Sequence, residues 1–218
     1  MPLNLIKHIN QKNNFFYNFL ENPFFYDFIQ YVTLAYKFRN RLIKEELKKN
    51  KFIKILDIGC GTANILNVLS NNLKYYGFDA NKKCIIYAKN KYINQNFFCK
   101  IFNEKNSKIV PKVDVIILNA VLHHLDNKEI TLLLELLKKK IKDKGKIIII
   151  EPFYSRITFS FANILVKIRD KIGEYDRGNF VRSINEYKKL ISKKLKIKKV
   201  QVEYPLLPPL NFVKFICN

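Results

Sequence analysis

From residue 53 onward, short apolar runs alternate with polar stretches whose apolar residues fall three and four apart. FIKILDI (52–58), YYGFD (75–79), FFCKIF (97–102), VDVIILN (113–119) and KIIIIEPF (146–153) read as strands. Between them, ANILNVLSNN (63–72), NKKCIIYAKNKY (81–92) and KEITLLLELLKKKIKD (128–143) carry the spacing of helices, and Gly145 marks a turn. Strands that are apolar nearly throughout are buried on both faces, so the alternation predicts a parallel sheet with helices on both sides. Helices over 158–172 and 184–195 follow, and then two closely spaced strands, IKKVQVEY (197–204) and LNFVKFIC (210–217), predicted to form an antiparallel hairpin at one edge. Ahead of the first strand, Phe24, Phe25, Phe28, Tyr31, Val32 and Ala35 keep helical spacing, and Asn22 before Pro23 reads as a helix start. The expectation is an N-terminal helical cap over 1–50 followed by one α/β domain over 51–218.

The net charge of +22 points to a polyanionic partner, either nucleic acid or an anionic membrane surface. Its composition offers a second explanation. There are 34 lysines, six arginines, 25 asparagines and no tryptophan, a bias that an AT-rich coding sequence produces by itself. Phosphate recognition leans instead on the arginine fork. Four cysteines, at 60, 84, 99 and 217, form no CxxC pair and no metal-ligand spacing with the three histidines, so neither a disulfide framework nor a zinc site is expected. MPLNLIKHINQKNNFF lacks the apolar centre of a signal peptide, and no stretch reaches 18 apolar residues. A cytoplasmic protein without a transmembrane segment is expected.

The candidate chemistry begins at ILDIGCGTANIL (55–66). Two of the chain's six glycines, Gly59 and Gly61, stand one residue apart at the junction between the first strand and the next predicted element. Glycine there permits a tight turn and lets a ligand approach the backbone. A dinucleotide fingerprint would require a third glycine at position 64, which is Asn64. Asp57 ends the strand before the loop. Asp79 closes the second strand, placed either to accept hydrogen bonds from ribose hydroxyls or to cap the next helix. VDVIILNAVLHHLDN runs from the fourth strand into a loop at the same edge of the sheet.

Together LDIGCGT, GFDAN and LNAVLHHL resemble the class I S-adenosylmethionine-dependent methyltransferases, over residues 53 to 151. The resemblance implies a Rossmann-like fold with a mostly parallel seven-stranded sheet, an antiparallel C-terminal strand and helices on both faces. It implies S-adenosylmethionine as cofactor and S-adenosylhomocysteine as product. Gly59, Cys60 and Gly61 would lie along the methionine portion, with Asp57 anchoring the loop or the amino group. Asp79 would hold the ribose, Ala80 and Asn103 would meet the adenine, and Asn119 and Ala120 would sit near the sulfonium. The chain is also similar to one bacterial subgroup with an NPxxYxxxQ helix (Asn22, Pro23, Tyr26, Gln30), an EP after strand five (Glu151, Pro152) and a DRGxxxR (Asp176, Arg177, Gly178, Arg182).

Outside the cofactor loop, His123 and His124 offer a neutral imidazole as general base, or else pack and shape a pocket. Arg177 and Arg182 would grip an acceptor's carboxylate or phosphate from a lid loop, or else Arg177 pairs with Asp176. Tyr26 and Gln30 share a helix face, either at the pocket mouth or in packing. The leading expectation is methyl transfer to a small-molecule, sugar or lipid-linked acceptor, with oxygen favoured as nucleophile over nitrogen and carbon. Enzymes that methylate nucleobase amines carry [DNS]PP[YF] where this chain has NAVL, so RNA modification is left to other atoms. The competing class is a basic RNA- or membrane-surface binding protein that keeps the fold without catalysis.

Overall fold

The apolar runs become strands lying side by side, as their composition dictates. The computed structural model describes residues 35–47, 53–69, 72–153, 180–204 and 211–218. The elements there are α1 (Ala35–Leu47), β1 (Ile53–Ile58), β2 (Leu73–Asp79), α2 (Lys82–Lys91), β3 (Asn96–Cys99), the single turn α3 (Glu104–Ser107), β4 (Val113–Asn119), α4 (Asn127–Lys140), β5 (Ile141–Phe153), α5 (Ile184–Ser192), β6 (Ile197–Glu203) and β7 (Asn211–Cys217). The helices expected near Pro23 and over 158–172 lie outside the described residues.

The seven strands form one sheet in the order β3-β2-β1-β4-β5-β7-β6. β1 to β5 are parallel, and β7 inserts antiparallel between β5 and β6. Strand order reverses between β1 and β4, and at such a switch point the loops leaving the two strands part to open a crevice. Alternation within the strands sorts side chains to two cores. Leu56, Ile58, Ile116, Leu118, Ile147 and Ile149 pack with Leu134 and Leu137 of α4 and with Tyr187 and Ile191 of α5. Ile55, Val115, Ile117, Ile148 and Ile150 pack with Leu42, Ile43 and Leu47 of α1 and with Ile85 and Ala88 of α2.

The helix starts carry their caps. Asp126 and Glu129 form a reciprocal box at α4, Ser183 and Glu186 do so at α5, and Asn81 accepts from Lys83 N and Cys84 N at α2. Each cap contributes about 1 kcal/mol.

Two boundaries differ from the sequence expectation. ANILNVLSNN makes only a 3-10 turn, Asn64–Asn67, among its described residues, entered from Ala63 at φ 55°. α4 stops at Lys140 because Ile141 pairs with Val113. Pairing then resumes at Val115 with Lys146, so residues 142–145 loop out between them. Gly145 belongs there, since a Cβ on it would lie 2.9 Å from Asp114 O. The described part of the N-terminal segment, α1, packs as a layer of the same core. Lys214 of β7 is fully buried and reaches back to Leu42 O at 3.2 Å and Glu46 Oε1 at 2.9 Å, fastening α1 to the sheet.

Candidate functional site

The loop after β1 is shaped by glycine. Gly59 and Gly61 take φ 71° and 53°, and Gly59 N (2.8 Å) and Cys60 N (3.1 Å) both donate to Phe78 O at the end of β2. A Cβ on Gly59 would meet Val121 Cγ2 at 2.7 Å, so the loops after β1 and β4 touch at the switch point. Ala63 and Ala120 also hold left-handed backbones, at φ 55° and 61°. Each such residue stores about 1–2 kcal/mol of strain, and both flank this crevice.

Asp57 lies on the α1 side of β1, fully enclosed. Its Oδ2 accepts from Tyr75 Oη at 2.5 Å, while Oδ1 has no hydrogen-bond partner. Burial pushes its carboxyl up to about 7; the Tyr75 hydrogen bond opposes this and the charge of Asp79 adds to it. A buried acceptor without a donor is costly, and it is where a ligand bearing N–H groups would be met. Gly77 pairs beside Asp57 in β2, and a Cβ there would stand 2.8 Å from Cys60 Sγ and 2.9 Å from the Tyr75 ring. Burial, then Asp57 and Asp79, raise the Cys60 thiol well above its ordinary range. A raised thiol is a poor nucleophile, and Cys60 packs against Gly77.

Asp79 ties the second loop to the first. Its Oδ2 accepts from Gly61 N at 2.8 Å and its Oδ1 from Asn81 N at 2.7 Å. Burial raises its carboxyl, opposed by those two N–H groups and by the charge of His124. Asn81, not Asp79, caps α2. The Asp79 carboxylate, with up to about four acceptor sites, keeps room for a further donor. Ala80 is exposed beside it, its carbonyl 3.8 Å from Cys99 Sγ. Asn103 caps α3, its Oδ1 accepting from Asn106 N at 3.1 Å. Asn119 ends β4 with its Oδ1 buried and without a hydrogen-bond partner, and Ala120 N donates to Ile150 O at 2.8 Å.

The turn after β4 is gripped from both ends. Glu151, fully buried at the end of β5, accepts from Val121 N (2.8 Å) and Leu122 N (2.7 Å) through Oε1, and from His123 N (3.3 Å) through Oε2. The same Oε2 lies 2.8 Å from His123 Nδ1. Arg182 takes the carbonyl side. Its guanidinium donates to Leu122 O, Phe180 O, Leu125 O and Asn127 Oδ1 at 2.8–3.2 Å. Arg182, expected from the sequence at an acceptor, is buried, and its donors hold the LHHL turn. The two histidines consequently differ. His123 is 4 % exposed and fixed by Glu151, whereas His124 faces outward, its ring centroid 4.0 Å from that of His123.

Tyr26, Gln30 and Arg177 lie outside the described residues. From α1, Tyr36 Oη comes within 3.3 Å of Thr62 Oγ1, which brings that helix onto the glycine loop. Tyr36, Thr62 and the anchoring role of Glu151 went unread in the sequence, although an acid closing IIIIEPF was a visible signal. Among the described residues no group of His, Cys, Asp and Glu could hold a metal ion, and no helix is long and apolar enough to cross a membrane.

A sequence profile of the family described as "Methyltransferase domain" matches residues 30–187. A protein of Invertebrate iridescent virus 6 named "Putative methyltransferase 235L" is 32 % identical over 94 residues, 42 % of this chain and 34 % of that one. The chain thus spans about a third of the length of the curated relative it matches. Among solved structures, a SAM-dependent methyltransferase from Leishmania major superposes with TM-score 0.64 at 13 % identity, covering 84 % of this chain and 73 % of that chain. Human N-acetylserotonin methyltransferase, solved with SAM, gives TM-score 0.62 at 18 % identity over 94 % of this chain and 59 % of that chain. At these identities the likeness to the two structures is one of fold.

Proposed function

We propose that this chain, which belongs to the methyltransferase domain family, transfers a methyl group from S-adenosylmethionine to a small-molecule, sugar or lipid-linked acceptor, with a hydroxyl as the favoured nucleophile. The observation that carries the reading is the glycine loop tied to Asp79 beside the unpartnered Oδ1 of Asp57. These residues fit the cofactor by their chemistry. Asp57 would accept from the ammonium of its methionine portion, and the backbone of Gly59, Cys60 and Gly61 would run alongside. Asp79 would accept from the ribose, Ala80 and Asn103 would flank the adenine, and Asn119 and Ala120 would lie toward the sulfonium. The cofactor supplies an electrophilic methyl group, so the protein's task is alignment and exclusion of water more than bond activation.

His124 would take the proton from the acceptor hydroxyl. His123 is a positioning residue, held by Glu151 so that its neighbour faces outward. Support for a small acceptor comes from NAVL in place of a nucleobase-amine tetrapeptide, and from the fold shared with N-acetylserotonin methyltransferase.

The test incubates the protein with methyl-labelled S-adenosylmethionine and separated small-molecule, lipid and RNA fractions. Label is expected in small molecules or lipids. His124→Ala is expected to lower kcat about 100-fold with cofactor affinity kept. Label confined to RNA or protein would overturn the acceptor class.

A further inference from the structure

We propose that the amino edge of the sheet, opposite the candidate site, docks on an anionic bilayer. In a parallel sheet the starts of β1 to β5 share one edge, and α2 and α4, which lead to strand starts, end there. β6 starts there too, since both β5 and β6 are antiparallel to β7. Among the described residues, the connections into β2, β3, β4, β5 and β6 each bring an exposed lysine to this edge. Lys74 is the second residue of β2, Lys89 and Lys91 stand in the last turn of α2, Lys112 precedes β4, Lys139 and Lys144 flank the start of β5, and Lys196 precedes β6.

Helix dipoles favour lysine in the last turns of α2 and α4. They do not account for lysines at strand starts or in the 142–145 loop. A coding bias would treat both edges alike, yet at the carboxyl edge lysines are interleaved with the acids of the helix starts, among them Glu104, Asp126, Glu129 and Glu186, whereas at the amino edge Asp114 and Glu46 are taken by Lys142 and Lys214, leaving Asp143 among the exposed lysines. The excess positive charge therefore collects on the side away from the crevice.

Two observations choose lipid over nucleic acid. No described arginine serves this edge: Arg39 and Arg182 are buried, and Arg41 pairs with Glu203 at 3.1 Å. Nucleic-acid phosphates are typically gripped by guanidinium forks, whereas lysine clusters suffice for a charged lipid surface. Exposed aliphatic side chains also stand among the lysines. Ile93, 81 % exposed, follows α2, and Ile109, 50 % exposed, adjoins Val110, whose carbonyl receives the Lys140 ammonium at 2.8 Å. Lysine interspersed with aliphatic residues suits the boundary between headgroups and acyl chains. Docked this way, the crevice would face water about 20 Å from the lipid, the length of a six-residue strand. That geometry favours water-borne over lipid-linked acceptors. The inference does not depend on the methyl-transfer reading.

The test is co-sedimentation of the full chain with phosphatidylcholine vesicles with and without phosphatidylserine, with the thermal midpoint of each variant confirming its fold. Binding is expected only to the phosphatidylserine vesicles. Lys112→Glu/Lys139→Glu/Lys144→Glu is expected to weaken partition about 100-fold or more, at roughly five-fold per lysine lost, and Ile93→Ser to weaken it several-fold. Lys82→Glu/Lys83→Glu/Lys128→Glu, at the carboxyl edge, is expected to weaken it far less. The proposal is overturned if the intact chain ignores phosphatidylserine, if both triple variants lose binding equally, or if the chain binds homopolymer RNA through this edge and vesicles not at all.

Discussion

Glu151→Gln isolates what the buried carboxylate does for the LHHL turn. The carboxylate receives three backbone N–H groups and the His123 ring nitrogen. An amide in its place keeps one oxygen for Val121 N–H and Leu122 N–H, but turns an NH2 toward His123 N–H and its ring. The ring can move its proton to Nε2 and accept from the amide, so one donor, His123 N–H, is left unmet. A buried unmet donor costs about 1–3 kcal/mol, and the weakening of charge-assisted bonds to Val121 and Leu122 adds to that. The expected loss is therefore about 2–4 kcal/mol, a large fraction of the stability of an ordinary domain. Urea unfolding reads the loss, and hydrogen exchange at the amides of Val121, Leu122 and His123 reads whether it is local. Glu151→Gln within about 0.5 kcal/mol of the parent, with unchanged exchange at those amides, would refute the anchoring role.

Gly59→Ala places a Cβ at 2.7 Å from Val121 Cγ2 on a backbone at φ 71°; a loss of about 2 kcal/mol in urea unfolding is expected, and an unchanged midpoint would show that the two loops can part freely. At α1, Glu46→Ala leaves the buried Lys214 ammonium with only Glu45 Oε2, 4.0 Å away, in place of its 2.9 Å partner, costing about 2–3 kcal/mol, whereas Lys214→Met removes the charge itself and should cost less; the reverse ranking, read by urea unfolding, would contradict this account of the buried ammonium. Because burial raises Asp57 to about 7 from 3.8, the folded chain holds a proton that the unfolded chain has lost between about pH 4 and pH 7. Its contribution to stability therefore falls as pH rises through that window. Asp57→Asn should remove that fall, seen by comparing unfolding midpoints at pH 5 and pH 8, and a parallel decline in both proteins would place the titration elsewhere.

The strands were legible because each is a near-continuous apolar run bounded by polar residues, and the order of strand and helix then left few topologies. The glycine loop and its two acids were legible because glycine is the residue that turns left-handed at a strand end at least cost, whereas the left-handed Ala63 and Ala120 carry no such letter. Other features leave no such mark. Arg182 sits in a stretch without periodicity, and its partners are mostly main-chain carbonyls, which every residue offers, so letters alone do not separate a loop clamp from an anion grip. His123 and His124 are the same letter twice, and only the position of Glu151 across the sheet assigns them different tasks. The run over 63–72 has helical spacing, but its described residues form only the 3-10 turn Asn64–Asn67, entered from the left-handed Ala63. Tyr36 lies beyond the aromatic positions whose spacing the sequence offered, and nothing in that spacing pointed to its meeting with Thr62.

Calorimetric titration of S-adenosylhomocysteine into the full chain and into Asp79→Ala tests the cofactor site most directly. Micromolar-range binding by the intact chain is expected, little changed between about 0.1 and 0.5 M salt, and weakened tenfold or more, about 1.4 kcal/mol, by Asp79→Ala. No binding by the intact chain, or equal affinity in the two proteins, would contradict the cofactor site.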